Sequence, residues 1–492
     1  MVIPPDDTLH QSPQMDLNEF AERIFLNLPY DPNHQQIELI AALARFCAPQ
    51  RPGYSIFLLN GYAGTGKTSL TSALVRALHE AGVPVVLMAP TGRAAKVFSR
   101  FAGYAASTIH RRIYRGSDGT MMSYAADVAE NSLTNAVFIV DEASMIGDSI
   151  TSADSFSSRN LLEDLIHYVY SGEGCRMILL GDTAQLPPVG CTRSPAMDPD
   201  VLRGYGLHVT RAIMTQVVRQ SSLSGILGNA TWLRRAMLRE PLPQPCLRIG
   251  RWNDVKTVEG QELEDEISNC YNDAGQNETL IVTRSNKRAV AFNMAVRTNI
   301  LGREELLCRD ELLLVAKNNY LWSAKIKGLD FVANGDSAVV DYIYGTEEKY
   351  GFHFADVNLR LTDRDVAFDC KILLDALLSE TPALEPVRYN QLYMTALNDD
   401  ELFTPATPVK TRMRMLRSDP YVNALQVKYG YAVTCHKAQG GQWKEVFVDV
   451  GYVPPEAYTT SDFYRWLYTA VTRATTRLWL VNPSSALVPE LD

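Results

Sequence analysis

Short apolar runs, each followed by glycine or polar residues, recur along this chain and predict buried strands. The clearest are "SIFLL" (55–59), "AVFIV" (136–140), "RMILLG" (176–181) and "TLIVT" (279–283). After the first run, apolar residues at 70, 73, 74, 77 and 78 fall on one helical face. The segment "TLIVTRSNKRAVAFNMAVR" likewise indicates a strand, a turn and a helix. Strands that alternate with helices predict an α/β fold with parallel sheets.

The pattern changes between residues 306 and 424. Here "DSAVVDYIYG" (336–345) and "YGFHFADVNLRL" (350–361) are β-rich and lie on either side of a charged turn. The segment "CKILLDALLSE" (370–380) then has the apolar spacing of a helix. We therefore expect a β-rich module, followed by a helix, in this part of the chain.

Composition limits the class of protein. A chain of 492 residues with 46% hydrophobic and 21% charged residues is globular and long enough for roughly three or four domains. Its eight cysteines are scattered, with no Cys-x-x-Cys pair, which argues against a disulfide framework or a zinc site. The N-terminus lacks an apolar signal segment, and no run approaches the ~20 apolar residues of a membrane helix. We expect a cytoplasmic protein with no membrane partner.

The net charge of −9 argues mildly against a nucleic-acid binder. A groove that binds a nucleic-acid strand needs only local positive potential, however. Local basic clusters are present at Arg93, Lys96 and Arg100; Arg111, Arg112 and Arg115; Arg284, Lys287 and Arg288; and Lys410, Arg412, Arg414 and Arg417. Each cluster alone also fits a solvated helical face.

The segment "GYAGTGKT" (61–68) has the pattern of a phosphate-binding loop between a strand and a helix. Its glycines allow backbone N–H groups to surround phosphate oxygens at a helix N-terminus. Lys67 would neutralise phosphate charge and Thr68 would ligate Mg²⁺. A glycine-rich turn without a ligand is the alternative. The predicted ligand contacts in this loop are Gly61, Gly64, Thr65, Gly66, Lys67, Thr68 and Ser69.

Two further strand ends carry site chemistry. Asp141 and Glu142 follow a central strand, at the edge where open α/β sheets bind ligands. Asp141 suits the Mg²⁺ shell, and Glu142 suits a base that polarises the attacking water. Gln185, after the strand "RMILLG", can hydrogen-bond a γ-phosphate. Together with the loop, these residues predict hydrolysis of a nucleoside triphosphate.

Eight ordered motifs resemble those of the superfamily 1 DNA helicases, in the RecD-like and Dda-like branch (superfamily 1B) that includes the Pif-type helicases. They are "GYAGTGKT", "APTGRAAK", "STIHRRIY", "IVDEASMI", "GDTAQLPPVG", "TQVVRQ", "YAVTCHKAQGGQW" and "YTAVTRAT", spread over most of residues 30–490. The resemblance implies two RecA-like P-loop motor domains. It also implies a small β-hairpin insertion in the first and an SH3-like β-rich insertion in the second.

The resemblance also implies roles for single residues. Gln36, with Gln35 as the alternative, would read adenine, and Gln439 and Gly440 would lie near the nucleotide. Arg219 and Arg473, supplied by the second domain, would complete the catalytic set of Lys67, Asp141, Glu142 and Gln185. Contacts to the DNA strand would come from Thr91, Arg93, Thr108, His110, Pro187, Thr434 and His436. For Thr434 and His436, contact with the neighbouring domain is the alternative. Where the family commonly has serine, this chain has Gly441, to which we assign no contact.

The expected division of the chain follows from these motifs. Residues 1–29 would be a lead-in, 30–205 the first motor domain, 206–305 and 425–492 the second, and 306–424 the SH3-like insert. An insertion at about 112–134 in the first motor domain is where this branch carries a duplex-splitting wedge. Its plausible base-facing residues are Met121, Met122 and Tyr124.

The leading functional hypothesis is an ATP- and Mg²⁺-dependent helicase that moves 5′ to 3′ on single-stranded DNA and unwinds duplex. The expected partners are single-stranded DNA and junctions between single and double strands, with replication, repair, recombination or defence proteins as further candidates. We expect a monomeric motor. One alternative is a strand-stimulated ATPase or translocase subunit that does not unwind alone. Another is a P-loop phosphotransferase or switch ATPase.

Overall fold

The computed structural model describes residues 16–48, 53–115, 127–147, 160–217, 224–323, 326, 331–362 and 366–488. Its elements up to residue 214 are α1 (Leu17–Leu26), α2 (His34–Cys47), β1 (Ser55–Gly61), α3 (Lys67–Glu80), β2 (Val85–Ala89), α4 (Gly92–Ala102), β3 (Ala106–Thr108), α5 (Ile109–Ile113), β4 (Tyr114–Arg115), β5 (Asp127–Val128), β6 (Val137–Val140), α6 (Leu161–Ser171), β7 (Arg176–Gly181), α7 (Pro199–Gly204) and β8 (His208–Met214).

The first sheet is parallel, with the strand order β3-β2-β6-β7-β1-β8. Side chains of β1 alternate between its two faces. Phe57 and Leu59 pack in the core under α1 to α4, and Ile56 and Leu58 pack in the core under α5 to α7. The sheet is therefore covered by helices on both faces. Because β8 pairs with β1, the sheet extends past the predicted domain boundary at residue 205.

A two-stranded antiparallel ribbon, β4 with β5, leaves this domain between α5 and β6. It lies inside the predicted wedge insertion. Residues 116–126 between the two strands, with Met121, Met122 and Tyr124, lie outside the described residues.

The second α/β unit is built from two separate parts of the chain. Its first part contains α8 (Gly225–Ala236), β9 (Val255–Val258), α9 (Leu263–Asp273), β10 (Thr279–Thr283) and α10 (Asn286–Ala295), and its second part contains β16 (Ala432–Thr434), α13 (Cys435–Ala438), β17 (Trp443–Asp449), α14 (Ser461–Val471) and β18 (Ala474–Val481). The strands form a parallel sheet in the order β16-β10-β17-β18-β9. Two RecA-like sheets were expected, and this prediction is confirmed.

Between the two parts lies a closed barrel. Its strands are β11 (Leu312–Val315), β12 (Ser337–Lys349), β13 (Phe352–Leu361), β14 (Val366–Leu373) and β15 (Leu425–Tyr429). Two helices, α11 (Pro386–Leu397) and α12 (Val409–Leu416), connect β14 to β15. The prediction of a small β-rich insert is confirmed. Its last strand lies beyond the predicted boundary at residue 424.

The predicted helix at "CKILLDALLSE" is wrong, because β14 continues to Leu373 and only Leu374–Ala376 then form a short 3-10 turn. Cys370 is paired with Val357 of β13, and Phe368, Cys370 and Ile372 are buried in the barrel core. This alternation has the period of a strand. The apolar spacing fitted both structures, and the strand pairing decided between them.

The barrel and the second α/β unit share one hydrophobic core, in which Ile267 and Ile281 of the α/β unit pack with Leu313 and Val340 of the barrel. No helix within the described residues combines the length and the apolar character needed to cross a membrane.

Candidate functional site

The glycine-rich loop joins the end of β1 to the start of α3. Gly64 and Gly66 have φ values of 75° and 83°, which are favourable only for residues without a Cβ. Gly66 is the N-cap of α3, so Lys67 and Thr68 occupy its first turn. The first N–H groups of α3, which have no acceptor within the helix, therefore lie at the positive end of its dipole, an arrangement that binds anions.

Three carboxylates act electrostatically on the Lys67 side chain. Asp141 and Glu142 follow β6, and Asp182 follows β7, which lies between β6 and β1 in the sheet. Burial acts to lower the pKa of Lys67, but the attraction of the three carboxylates outweighs it and raises the pKa. Burial raises the pKa of Asp141 to about 6, although the charge of Lys67 opposes the shift. The lysine is thus charged in a cluster rich in acidic groups, as a site for a metal and phosphates requires.

Glu142 has a strained backbone and an unused carboxylate oxygen. Its φ and ψ are 52° and 34°, in the left-handed region that side chains rarely adopt. Among the described residues, its Oε2 atom is buried without a hydrogen-bond partner, and so is Oε1 of Gln185. Buried acceptors without partners cost free energy unless a ligand or water donates to them. Both atoms therefore fit a site built for a ligand.

The metal site predicted at Thr68 and Asp141 has few protein ligands. No group of three or more His, Cys, Asp or Glu side chains suited to a metal occurs in the part of the chain that the structure describes. Mg²⁺ usually keeps several waters and needs only one or two carboxylates beside substrate phosphates. The residues present thus fit Mg²⁺ bound together with a nucleotide, rather than a metal held by protein alone.

Arg473 projects from the end of α14 and is 3% exposed. Its Nε and Nη1 atoms donate to the carbonyl oxygens of Thr469 and Gly441, at 3.0 and 2.9 Å. Its positive charge opposes the rise in the pKa of Lys67 that the carboxylates produce. The second unit therefore places a fixed cation beside the phosphate loop. Arg219 lies outside the described residues.

The second unit also binds the peptide that follows Gln185. The Leu186 N–H donates to Thr469 Oγ1 at 2.9 Å, and the Leu186 carbonyl accepts from Gln439 Nε2 at 2.8 Å. The structure thus places the predicted nucleotide contact Gln439 on the backbone of the first domain. Gly440 lies beside α4, where an added Cβ would come within 3.0 Å of Ala94.

Tyr468 joins the two units at the phosphate loop. The sequence motifs predicted no role for this residue. Its hydroxyl donates to Asp182 Oδ2 at 2.7 Å and accepts from the Ala63 N–H at 3.0 Å. Arg234 of α8 was also missed, and its guanidinium lies 4.4 Å from the ring centroid of Tyr62 in the same loop. The position of Tyr468 in "YTAVTRAT" was the available signal, whereas Arg234 lies in no motif.

Gln36 is buried, and its side chain bonds to protein groups. Its Nε2 donates to the carbonyl oxygen of Thr65 at 3.2 Å, and its Oε1 accepts from the Asn33 N–H at 3.1 Å. Gln35 instead accepts from the N–H groups of Thr215 and Gln216. Of the two glutamines, Gln36 is the one that touches the phosphate loop.

The residues predicted to contact the DNA strand lie at strand ends and helix starts. Thr91 and Thr108 are N-caps of α4 and α5, and each accepts from a backbone N–H, at 3.2 and 3.3 Å. His110 lies 5.7 Å from the Tyr114 ring between centroids. At the start of α13, Thr434 is half-buried and His436 is exposed.

Two other predicted strand contacts have different surroundings. Pro187 is half-buried directly after Leu186. The Arg93 guanidinium stacks on Trp443, with Cζ 3.8 Å from the ring centroid. Nearby, Lys437 of α13 donates to the Pro382 carbonyl in the barrel insert at 2.8 Å. Burial lowers the pKa of Lys437 to about 8.

Comparison with known proteins gives two family matches. Residues 33–239 match a model described as an AAA domain, and residues 429–481 match a UvrD-like helicase C-terminal domain. An ATP-dependent RecD2 DNA helicase of Deinococcus radiodurans is 25% identical over 442 residues, which are 89% of this chain and 48% of that protein. The ATP-dependent DNA helicase dda of Enterobacteria phage T4 is 25% identical over 276 residues, covering 52% of this chain and 55% of that protein. The chain thus spans about half the length of both relatives.

Among solved structures, a Pif1 helicase from Bacteroides in complex with ADP-AlF3 and ssDNA aligns with 93% of this chain and 94% of that chain. Its identity is 14% and its TM-score is 0.44, values too low to carry a conclusion. The family matches and the two relatives follow the order of the sequence motifs. These comparisons support the resemblance to the superfamily 1B helicases, in the branch of RecD-like, Dda-like and Pif-related proteins.

Proposed function

We propose that this protein is an ATP-driven DNA helicase that moves 5′ to 3′ along single-stranded DNA and separates duplex ahead of it. One observation carries the proposal: the second unit reaches the phosphate loop through Tyr468 and Arg473 and binds the Leu186 peptide through Gln439 and Thr469. The cleft between the two units can then open or close as nucleotide is bound and hydrolysed there. Opening or closing of this cleft moves one unit relative to the other. Direction rests on the resemblance alone.

In the proposed reaction, Lys67 binds the phosphates and Glu142 accepts the proton of the attacking water. Thr68 and Asp141 would hold Mg²⁺, which when bound neutralises charge on the phosphates. Gln185 donates to the terminal phosphate and directly precedes Leu186, whose backbone is bonded to the second unit. Loss of that phosphate therefore alters the contact between the two units. Arg473, with Arg219 as the second arginine, stabilises the charge of the transition state.

The proposed strand path crosses the seam between the two units. Thr91 of the first unit and Gly440 of the second lie side by side there, since an added Cβ on Gly440 would be 3.5 Å from Thr91 Oγ1. Thr108, His110, Pro187, Thr434 and His436 are the further proposed contacts. Hydroxyl and imidazole groups can bind a phosphate backbone without reading bases, which suits a motor that moves along any sequence.

A strand-displacement assay with 5′-tailed and 3′-tailed duplexes tests the proposal, with ATPase activity measured with and without single-stranded DNA. We expect ATP-dependent displacement on the 5′-tailed duplex only, and ATPase stimulation by the strand. Lys67→Ala should abolish ATP turnover and displacement while strand binding persists, because the lysine contacts phosphate and the strand path lies elsewhere.

Each rival hypothesis predicts a different result. Strand-stimulated ATPase without displacement on either duplex would favour a translocase subunit of a larger repair or defence complex. ATPase activity indifferent to DNA would favour a P-loop phosphotransferase or switch ATPase. Near-normal ATPase in Lys67→Ala would refute the site assignment itself.

A further inference from the structure

Arg93 belongs to the first motor domain, and its side chain contacts residues of the second motor domain and of the barrel. It lies in the first turn of α4, directly after the N-cap Thr91 and Gly92. Its guanidinium lies over the indole of Trp443 at 3.8 Å, and Nη2 donates to the Gln442 carbonyl at 3.3 Å. Nη1 donates to Ser337 Oγ of the barrel at 3.5 Å. One side chain thus joins both motor domains and the barrel.

Gly441 provides the space for this stacked pair. An added Cβ at Gly441 would lie 2.5 Å from Trp443 Cη2 and 2.7 Å from Arg93 Nε, far inside van der Waals contact. The indole cannot turn away easily, because Trp443 is 6% exposed and belongs to the core of the second unit. The serine that the family commonly has at this position would meet the same two atoms. The glycine and the stacked pair are therefore parts of one arrangement.

The same segment is bonded to the nucleotide side of the cleft. The Gly441 carbonyl accepts from Arg473 Nη1 at 2.9 Å, and the Trp443 N–H donates to the Arg473 carbonyl at 3.0 Å. A shift of Gly441 would therefore move the anchor of Arg473. The backbone of residues 441–443 thus links Arg93 on one side to Arg473 on the other.

We propose that Arg93, Gly441 and Trp443 form a cross-domain clasp that couples closure of the motor domains to the placement of Arg473. In this role Arg93 is a positioning residue, and it does not contact a DNA phosphate. The inference rests on the proposed function, and it changes the assignment of Arg93, which the family resemblance had placed among the strand contacts.

The test compares Arg93→Ala, Arg93→Lys, Trp443→Leu and the Arg93→Ala/Trp443→Leu double variant with the parent. Gly441→Ala disturbs the clasp without changing charge, and Gly204→Ala is its matched control because an added Cβ there meets nothing within 4 Å. For each protein, kcat and KM for ATP are measured with saturating single-stranded DNA. The salt dependence of strand affinity is measured separately.

We expect kcat/KM to fall about tenfold in Arg93→Ala, within the range that stacking of a cation on an aromatic ring provides. Arg93→Lys should lose as much, since an ammonium lacks the planar guanidinium that stacks and hydrogen-bonds together. Gly441→Ala should lower kcat/KM by the same factor, and Gly204→Ala should have the kcat/KM of the parent. The double variant should be about tenfold more active than the product of the single losses predicts. The salt slope should stay as in the parent.

Two results would overturn the clasp. A salt slope weaker by about 0.7 in Arg93→Ala, with Arg93→Lys near the parent, would identify Arg93 as a phosphate contact. If the loss of kcat/KM in the double variant equals the product of the two single losses, the two side chains act independently. This comparison holds even if Trp443→Leu lowers stability, because the double variant carries the same substitution. A parent enzyme whose ATPase ignores DNA would instead refute the proposed function. The clasp would then still be tested by the same double-variant comparison without DNA.

Discussion

At the scale of single residues, Glu142 combines the features expected of a reactive group. Its backbone is held in the left-handed region, and its Oε2 atom is buried without a partner among the described residues. Strain and unsatisfied polar atoms persist only where the surrounding fold holds them in place, and they concentrate at functional sites. The sequence identified the strand-end acidic pair, but it contained no signal for this backbone geometry.

The raised pKa of Asp141 predicts that nucleotide binding depends on pH. Burial raises its pKa to about 6, so the neutral carboxyl predominates below that pH and the carboxylate above it. The neutral form is a poor Mg²⁺ ligand, so magnesium-dependent affinity for ADP should rise about tenfold as the pH increases from 5 to 7. Isothermal titration calorimetry measures the affinity for ADP with and without Mg²⁺ at each pH. The comparison separates the effect of Asp141 from protonation of the nucleotide itself.

Asp141→Asn supplies the control for this pH dependence. With no ionisable group at this position, the magnesium-dependent part of the affinity should be weak and nearly constant across the same pH range. A pH dependence in Asp141→Asn equal to that of the parent would assign the titration to another group, for which buried Asp182, with its raised pKa, is the first candidate.

At the scale of elements, we expect the β4–β5 ribbon to contribute to strand separation and not to movement along the strand. The described residues give it a paired stem, since Tyr114 and Arg115 oppose Val128 and Asp127. The Ala129 N–H also donates to the Ile113 carbonyl at 2.7 Å, which fixes the stem to α5. The phosphate loop and the proposed strand contacts lie outside this insertion.

Replacing residues 116–126 with a tight glycine-containing turn should therefore uncouple the two activities. We expect strand-stimulated ATPase and translocation to persist while duplex separation falls sharply, because opening base pairs requires an obstacle at the fork. Rates for the shortened and parental proteins are compared on one tailed duplex. Equal loss of both activities would point to misfolding or a role in the motor, and retention of both would make the insertion a solvated loop.

At the scale of the whole molecule, the barrel and the second motor domain are one structural body. Besides their common hydrophobic core, they share a buried ion pair in which Arg297 donates through Nε and Nη2 to the two oxygens of Glu311, both at 3.0 Å. Both side chains are fully buried, and Arg303 and Tyr431 donate to the same carboxylate. The barrel should therefore move with the second motor domain.

Removing the buried carboxylate tests this unity. Glu311→Leu leaves Arg297 buried without its partner and should reduce stability by about 3–5 kcal/mol. Because the core is shared, hydrogen exchange should accelerate together in β10 and β12. Asp341→Asn, which removes the partially exposed pair with Arg360, should cost at most about 1 kcal/mol. Faster exchange confined to β12 would show that the barrel opens on its own.

The charge of the whole chain sets the expected salt dependence of strand binding. With a net charge of −9, binding should use few phosphates, through local basic groups. We expect a slope of about −2 to −4 in log K against log salt concentration, because each contact to a single strand contributes about −0.7. A fluorescence anisotropy titration from low to high salt measures it. A slope near zero would mean that the basic clusters are only solvated surface.

The sequence by itself determined the features that depend on neighbours along the chain. The loop glycines, Lys67, the strand-end residues Asp141 and Glu142, and the sheet strands all follow from local spacing and periodicity, because backbone conformation and burial patterns repeat over a few residues. The division into two α/β units with a β-rich insert followed from the order of the motifs and the family resemblance, together with these local patterns.

Only the tertiary structure decided what distant segments do to one another. Tyr468 and Ala63 are 405 positions apart, yet one hydrogen bond joins them. Residues 370–373 fit a helix or a strand until pairing with β13 selected the strand. The reason for a glycine at position 441 became clear only from the fold, which packs Arg93 and Trp443 against it. Contacts of this kind depend on which surfaces the fold brings together, and no local pattern of residues specifies that.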